Sequence, residues 1–227
     1  MGLLVLLGVG LFAQYLMDAR VSKVEVEGYE RASEVSIRHL ADIREGERLL
    51  SLELDHVVAS VKQHPWVAEV SIERDFPDTV RVRVEEHKPA LLLADRGLYF
   101  VSEQGEVFVR ARGAGIDFPL LTGLSATLID GQPMVAQRII DDALNVLASV
   151  KVSSALDTVE LSEIRFDEQL GFSLYLRNHS QIHLGFRSPK DQMARLEQMI
   201  RKGLDLGTRH EVDMDIANMA IATPLSG

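Results

Sequence analysis

The chain is 227 residues long, with 24 Lys plus Arg against 34 Asp plus Glu, a net charge of −10 near pH 7, and no cysteine. Nucleic acid and a chain lying flat on anionic lipid are excluded as partners, because either calls for a basic patch. Disulfides and thiolate metal sites go with the cysteines, while the length leaves room for a membrane anchor and two small domains.

Residues 2–17 are apolar apart from Gln14. A spanning helix needs roughly twenty apolar residues, so the run is short for a span and overlaps the length of a signal-peptide core. No charged stretch precedes it, and Phe12-Ala13 makes a poor cleavage site, which favours an uncleaved anchor. Arg20 and Lys23 follow the run with nothing basic before it. Taken literally, that places the folded part in the cytoplasm.

Residues 21–27 read as a first strand, in which Val24 and Val26 alternate with Lys23, Glu25 and Glu27 before Gly28 closes it. Ser33 can cap a short helix whose apolar side holds Val35, Ile37 and Leu40, and Gly46 marks the connection onward. Leu54, Val57, Val58 and Val61 recur at helical spacing and predict an amphipathic helix over 53–64. Pro65 stops it, because it lacks an N–H and biases His64 away from helical geometry. A strand over 67–74, a turn at Phe76-Pro77-Asp78-Thr79 and a second strand complete a hairpin. In that strand Val80, Val82 and Val84 face a core while Arg81, Arg83 and Glu85 face water. The order is β-α-α-β-β.

From Pro89 the chain reads as a second, mostly β unit. Strands over 91–93, 98–101 and 107–109, joined by Asp95-Arg96-Gly97 and Glu103-Gln104-Gly105, form a meander. A helix follows Pro133, with Ala136, Ile139, Ile140, Ala143, Leu144 and Leu147 on one face. Strands are predicted over 159–166, 171–176 and 181–184, then a helix capped by Ser188, opened by Pro189 and striped with Met193, Leu196, Ile200 and Leu204. A last strand starts near Glu211, with Val212, Met214 and Ile216 on one side and Asp213 and Asp215 on the other. The fold class is therefore α+β: an N-terminal membrane anchor (1–19), a small β-α-α-β-β domain (20–88), a larger mostly antiparallel β domain with two helices (89–222) and a tail (223–227).

Four landmarks stand in order in the first half: Val24-Glu25-Val26-Glu27-Gly28, His64-Pro65-Trp66-Val67, Arg74-Asp75-Phe76-Pro77-Asp78-Thr79 and Glu85-Glu86-His87-Lys88-Pro89-Ala90. With them this half resembles a POTRA domain, and its wording is similar to that of the FtsQ/DivIB family of bitopic cell-division proteins. The resemblance extends through Val101-Ser102-Glu103-Gln104-Gly105-Glu106-Val107-Phe108, Phe118-Pro119-Leu120-Leu121-Thr122-Gly123, Ile182-His183-Leu184-Gly185 and Val212-Asp213. Beyond Asp213 it departs, with Met214-Asp215-Ile216 where the family commonly has Leu-Arg-Tyr.

What the resemblance implies is a single-pass protein of the bacterial inner membrane, with its bulk in the periplasm at the division septum. It would be a non-catalytic scaffold linking early and late division proteins and supporting septal cell-wall synthesis. Such proteins usually carry a basic tail ahead of the span, so this sequence is expected to start late. Their partners are FtsB-like and FtsL-like bitopic proteins, bound largely through the final strand. A terminal strand with one neighbour leaves N–H and C=O groups unpaired, and a partner segment can complete them by strand addition. The residues so implied are Asp213, Met214, Asp215, Ile216, Ala217 and Asn218. At Asp215 the family's positive charge is reversed, which would select a basic partner residue. The plain alternative is that this strand only closes the sheet. A second surface, for recruitment to the division site, is implied near Glu73 and Arg74, where a solvated strand face explains the charges equally well.

Enzymatic readings find little purchase. His179 and His183 are four apart, but Asn178-His179-Ser180 reads as a hairpin turn, so the two do not share a helix face as a zinc pair would. Asp141-Asp142 lies on an amphipathic helix, Gly113 and Gly115 are too little for a phosphate loop, and no Ser, His and acid set stands out. Neither a cofactor nor a metal is expected. The competing functions are a POTRA-bearing component of an outer-membrane assembly or secretion system and, further off, a periplasmic hydrolase. Too few strands follow the first domain to build a transmembrane barrel.

Overall fold

A computed structural model describes residues 8, 14–113, 116–153, 156, 160–215 and 220–224. Most of the predicted membrane anchor, residues 1–7 and 9–13, lies outside the described residues. Among the described residues no helix is long and apolar enough to cross a membrane. The chain divides into two units, Met1–His87 and Lys88–Gly227.

In the first unit, strand β1 (Lys23–Glu27) is followed by helix α1 (Glu34–Ala41), a 3-10 turn at Leu49–Ser51, helix α2 (Leu54–Val61) and strands β2 (Val67–Asp75) and β3 (Thr79–Glu86). The sheet order is β1-β3-β2, with β1 parallel to the central strand and β2 antiparallel to it. Period-two alternation sorts β3 as predicted: Val80, Val82 and Val84 are buried with Val57 and Val61. On the opposite face Arg81 pairs with Glu25 at 3.4 Å and Asp75 at 3.0 Å, and Arg83 with Glu27 at 3.4 Å.

Ser33 caps α1, its Oγ accepting the Ser36 N–H at 3.1 Å. Val35, however, is 77% exposed, and the expected apolar side reduces to Ile37 and Ala41 with Leu40 packed beside them. At about 100° per residue, Val35 sits some 200° round the helix from Ile37, so both cannot face the core. Helix α2 ends earlier than 64 because the N–H groups of Gln63 and His64 reach back only three residues, to Ser60 and Val61, as the chain tightens toward Pro65.

The end of β3 is tied to the loop before α1. One carboxylate, that of Glu86, accepts the successive N–H groups of Glu30 (2.8 Å), Arg31 (3.0 Å) and Ala32 (2.8 Å), filling an anion nest from within the chain. Beside it the Arg31 guanidinium lies 4.5 Å from the centroid of the Trp66 ring.

The second unit is a nine-stranded sheet with helices. Its strands are β4 (Pro89–Ala94), β5 (Leu98–Ser102), β6 (Val107–Arg110), β7 (Leu120–Thr122), then, after helices α3 (Ala126–Gly131) and α4 (Pro133–Val152), β8 (Leu161–Asp167), β9 (Gly171–Leu176) and β10 (Gln181–Gly185). Helix α5 (Pro189–Arg201) leads to β11 (His210–Asp213) and β12 (Ile221–Pro224). Across the sheet the order is β12-β11-β10-β9-β8-β7-β4-β5-β6. Most neighbours are antiparallel, but β4–β7, β7–β8 and β10–β11 are parallel. Parallel neighbours need a long crossover, and α3–α4 and α5 supply it for the last two.

Three elements are additions to the sequence reading: β7, which reads as a mere connection, the short α3, and β12, which takes in Thr223 and Pro224 of the expected tail. Side chains of α4 (Ile139, Ile140, Ala143, Leu147) and α5 (Met193, Leu196) bury against Leu91, Val101, Leu121, Ile164, Leu174, Ile182 and Val212. Each fully buried Leu, Ile or Val contributes about 1.5–3 kcal/mol. By the alternation of each strand, Glu163, Arg165, Ser173, Tyr175, His183, Glu211 and Asp213 point away from that core.

Removing the Glu86 carboxylate takes the acceptor from the Glu30, Arg31 and Ala32 N–H groups, of which the last belongs to a buried residue. Glu86→Ala is expected to cost the first unit about 2 kcal/mol and Glu86→Gln about half as much, since the amide oxygen still accepts. Trp66, the chain's one tryptophan, reports on this unit alone in a urea titration followed by fluorescence.

Candidate functional site

Among the described residues the nine-stranded sheet ends at β6 on one side and β12 on the other, and these are its two edge strands. The two edges differ. Pairing of β6 with β5 shifts register between Phe100 and Val101, and Arg110 stands exposed at the strand's end. A bulge and a charge are among the ways proteins blunt an edge; length does not separate the two, since β6 and β12 are four residues each, and the Pro224 that ends β12 has no N–H to offer. Edge strand β12 runs in unbroken register with β11, from His210 opposite Pro224 to Asp213 opposite Ile221. Ile221, Thr223 and Pro224 are exposed, while Ala222 packs on the core. This corrects the expected position of the edge: β11 has neighbours on both sides, and the open backbone belongs to β12.

The outer hairpin hangs on a short seam. Only three pairs, Gln181–Glu211, Ile182–Val212 and His183–Asp213, join β10 to β11. Side chains reinforce both ends of it. At the start, the His210 N–H donates to Ser180 Oγ at 3.0 Å and Asn178 Nδ2 to the Leu206 carbonyl at 2.6 Å. Across the middle, His183 Nδ1 lies 3.0 Å from Ser173 Oγ, and its Nε2 lies 3.3 Å from Glu211 Oε1. The fold thus brings together a Ser, His and acid set that the sequence scatters, and uses it to tie β9, β10 and β11.

At the far end everything converges on Met214. Its N–H donates to the His183 carbonyl at 2.9 Å. Its own carbonyl accepts from Gln192 Nε2 at 3.0 Å and from an Arg195 terminal nitrogen at 2.9 Å. Gln192 is 1% exposed; the same Nε2 also reaches the Leu184 carbonyl at 2.8 Å, and its Oε1 accepts from Arg195 at 2.8 Å. A buried amide is tolerated because all of it is used.

Of the residues expected at the site, Met214 is buried, Asp213 partly so, and Asp215 is exposed. Ile216, Ala217 and Asn218 lie outside the described residues. Asp215 turns its N–H back onto Asp213 Oδ1 at 2.9 Å, so the strand ends here, and its Oδ1 lies 4.0 Å from Arg187 Nε. Gly185, at φ +70°, makes this possible, because a Cβ there would collide with the Asp215 carboxylate. In the other unit Glu73 and Arg74 point to opposite faces of β2. Glu73 is exposed, whereas Arg74 turns inward and donates to the carbonyls of Leu49 (2.8 Å) and Leu52 (2.6 Å).

Sequence reasoning passed over Gln192, Arg195 and Gly185. The signal for the first was present: Gln192 stands four residues before Leu196, on the helix's own apolar stripe, where a polar group is out of place unless paired. Among the described residues no group of three His, Cys, Asp or Glu could hold a metal ion. His179 sits in the β9–β10 turn with φ +65°, away from any helix.

The family model described as POTRA domain, FtsQ-type, matches residues 19–87, and that described as Cell division protein FtsQ/DivIB, C-terminal, matches residues 90–215. A protein of Myxococcus fulvus named Cell division protein FtsQ is 33% identical over 211 residues, 92% of this chain and 73% of its own length. One of the same name from Anaeromyxobacter sp. (strain K) is 32% identical over 196 residues, 85% of this chain and 66% of its own length. This chain therefore spans about two thirds to three quarters of those relatives. The solved extracytoplasmic domain of the division protein DivIB from Geobacillus stearothermophilus aligns over 53% of this chain at 15% identity, with a TM-score of 0.35.

The turn between β8 and β9 lies beside this end of the sheet, with Asp167 opposite Gly171 and Phe172 opposite Gly185. It is held by the Asp167 carboxylate, which accepts the N–H groups of Gln169 (2.8 Å) and Leu170 (3.0 Å). Those two bonds hold its pKa below the ordinary 3.8. A depressed carboxylate stabilises above the unfolded value, and its contribution fades as pH falls through its own lower value. Amide exchange at Gln169 and Leu170 should therefore lose its protection, relative to β9, only on strong acidification. In Asp167→Asn the protection should be reduced at neutral pH and the acid step should vanish.

Proposed function

The chain belongs to the FtsQ/DivIB family of cell-division proteins, and from that footing we propose that it is a non-catalytic scaffold of the division machinery that captures its partners by strand addition at β12. The observation that carries the reading is the contrast between the two ends of the large sheet. One is interrupted by a bulge and carries an arginine; the other, four residues ending in Pro224, keeps unbroken register with its neighbour on a hairpin anchored from several sides. An extended segment completes such an edge through main-chain hydrogen bonds, with side chains at alternate positions supplying selectivity.

The partners in this reading are the periplasmic segments of FtsB-like and FtsL-like bitopic proteins. The chain itself is held in the inner membrane by its N-terminal segment, with both folded units in the periplasm at the septum. Glu211, Asp213 and Asp215 put negative charge beside the edge, so the docking strand should carry a basic residue toward the Asp215 end. Recruitment to the division site is assigned to the charged face of the smaller unit around Glu73, with Arg74 holding the 3-10 turn behind it. An outer-membrane assembly role would call on the same first domain, but the match continues through residue 215 into the FtsQ/DivIB C-terminal domain.

A pull-down of the chain with FtsB-like and FtsL-like periplasmic segments encoded in the same genome should retain at least one of them. Retention of neither would overturn the proposal. Against the segment that binds, Asp215→Arg should weaken affinity by about tenfold, roughly 1.4 kcal/mol, measured by calorimetry at low salt. An unchanged affinity would remove Asp215 from the interface.

A further inference from the structure

We infer that Gln192 and Arg195 of α5 are positioning residues for the β12 edge, setting how well a partner strand docks without touching it. The inference rests on strand addition at β12 and adds to it a remote determinant. Backbone geometry is the reason. With three pairs joining β10 to β11, the seam leaves the outer hairpin a hinge about its own axis. At the end nearest Asp215, beyond the side-chain ties at the start and middle of the seam, that hinge is stopped by Met214, whose N–H is held by β10 and whose carbonyl accepts two donors from α5.

The next residue is where the strand breaks, since Asp215 folds back on Asp213. Asp213 is also the residue opposite Ile221, at which β12 begins. The clamp thus acts at the point that sets where the chain leaves β11 and where β12 is laid down on its return. Gln192 orders Arg195 through its Oε1 and is itself committed to Leu184 in β10. Helix, inner strand and outer hairpin therefore meet in one buried node, and loosening it frees the edge while the apolar contacts of Met193 and Leu196 keep the helix in place. A strand-adding partner needs its template pre-ordered, because every degree of freedom left in the edge is lost on docking.

The test compares Arg195→Met, Gln192→Met and Arg195→Lys in the full chain. Three quantities are read: thermal midpoint, amide exchange of residues 211–215 and 221–223 relative to β8 and β9, and affinity for the FtsB-like segment that the parent chain retains. Arg195→Met and Gln192→Met are expected to speed exchange in the outer hairpin at least tenfold and to weaken binding by a similar factor, with β8 and β9 protected as before. Arg195→Lys, which keeps one donor, should recover most of both. Faster exchange throughout the sheet, with a midpoint falling in proportion, would mean a merely structural node and overturn the inference. Unchanged exchange in the outer hairpin would overturn it as well. Should one methionine variant fail to fold, the other decides by the same criteria. A parent chain that binds no segment sinks strand addition, yet the exchange readout still judges the clamp.

Discussion

The carbonyl of Met214 is the point on which the outer hairpin of the large sheet depends. It belongs to a residue just past the last inner strand, where no ladder partner remains for it, and it is buried. A buried carbonyl left unpaired costs about 1–3 kcal/mol, and the fold avoids that cost by turning a glutamine and an arginine from α5 toward it. Satisfying one acceptor obliges the helix, β10 and the outer hairpin to take a single relative position. The edge is therefore ordered by the same bonds that the buried backbone requires.

The architecture around that node follows from a few local rules. Each helix crossover leaves a parallel seam of three residue pairs, and β11 and β12 hang from the one formed by α5. Antiparallel hairpins make up most of the rest of the sheet, with the longest ladder between β8 and β9. The same economy governs the smaller unit, where the Glu86 carboxylate fills a nest of backbone N–H groups that would otherwise face solvent at the start of α1. In both units a charged or amide side chain far along the chain completes a backbone defect left by a turn. Glu86 stands in one of the motifs that carry the family resemblance, Gln192 and Arg195 stand outside them on α5, and all three hold the scaffold.

In the proposed reading, function resides in what the scaffold leaves undone. Nine strands in one sheet leave two edges, and the chain protects one with a bulge while keeping the other regular. An acidic surround at the regular edge gives it a sign, and the Gly185–Asp215 approach gives that sign a fixed place. Family membership supplies the setting of cell division; the physical argument for where a partner strand would add comes from the sheet.

Much of this was legible in the residues themselves. Alternation of Val80, Val82 and Val84, the helix stripes after Pro133 and Pro189, and the caps at Ser33 and Ser188 are local patterns with a period, and a period survives without tertiary contacts. The family landmarks are likewise strings in order along the chain. Val35 was misplaced because an eight-residue helix shows too little of its period to fix its buried face. Strands β7 and β12 were missed because Pro119 and Gly123 around the first and Pro224 at the end of the second read as connection and tail, and only neighbours in the sheet made them strands. Which strand is outermost, that Gln192 is buried, and that Ser173, His183 and Glu211 meet were decided by the tertiary structure. Each depends on residues brought together across a crossover, and sequence spacing carries no record of that distance.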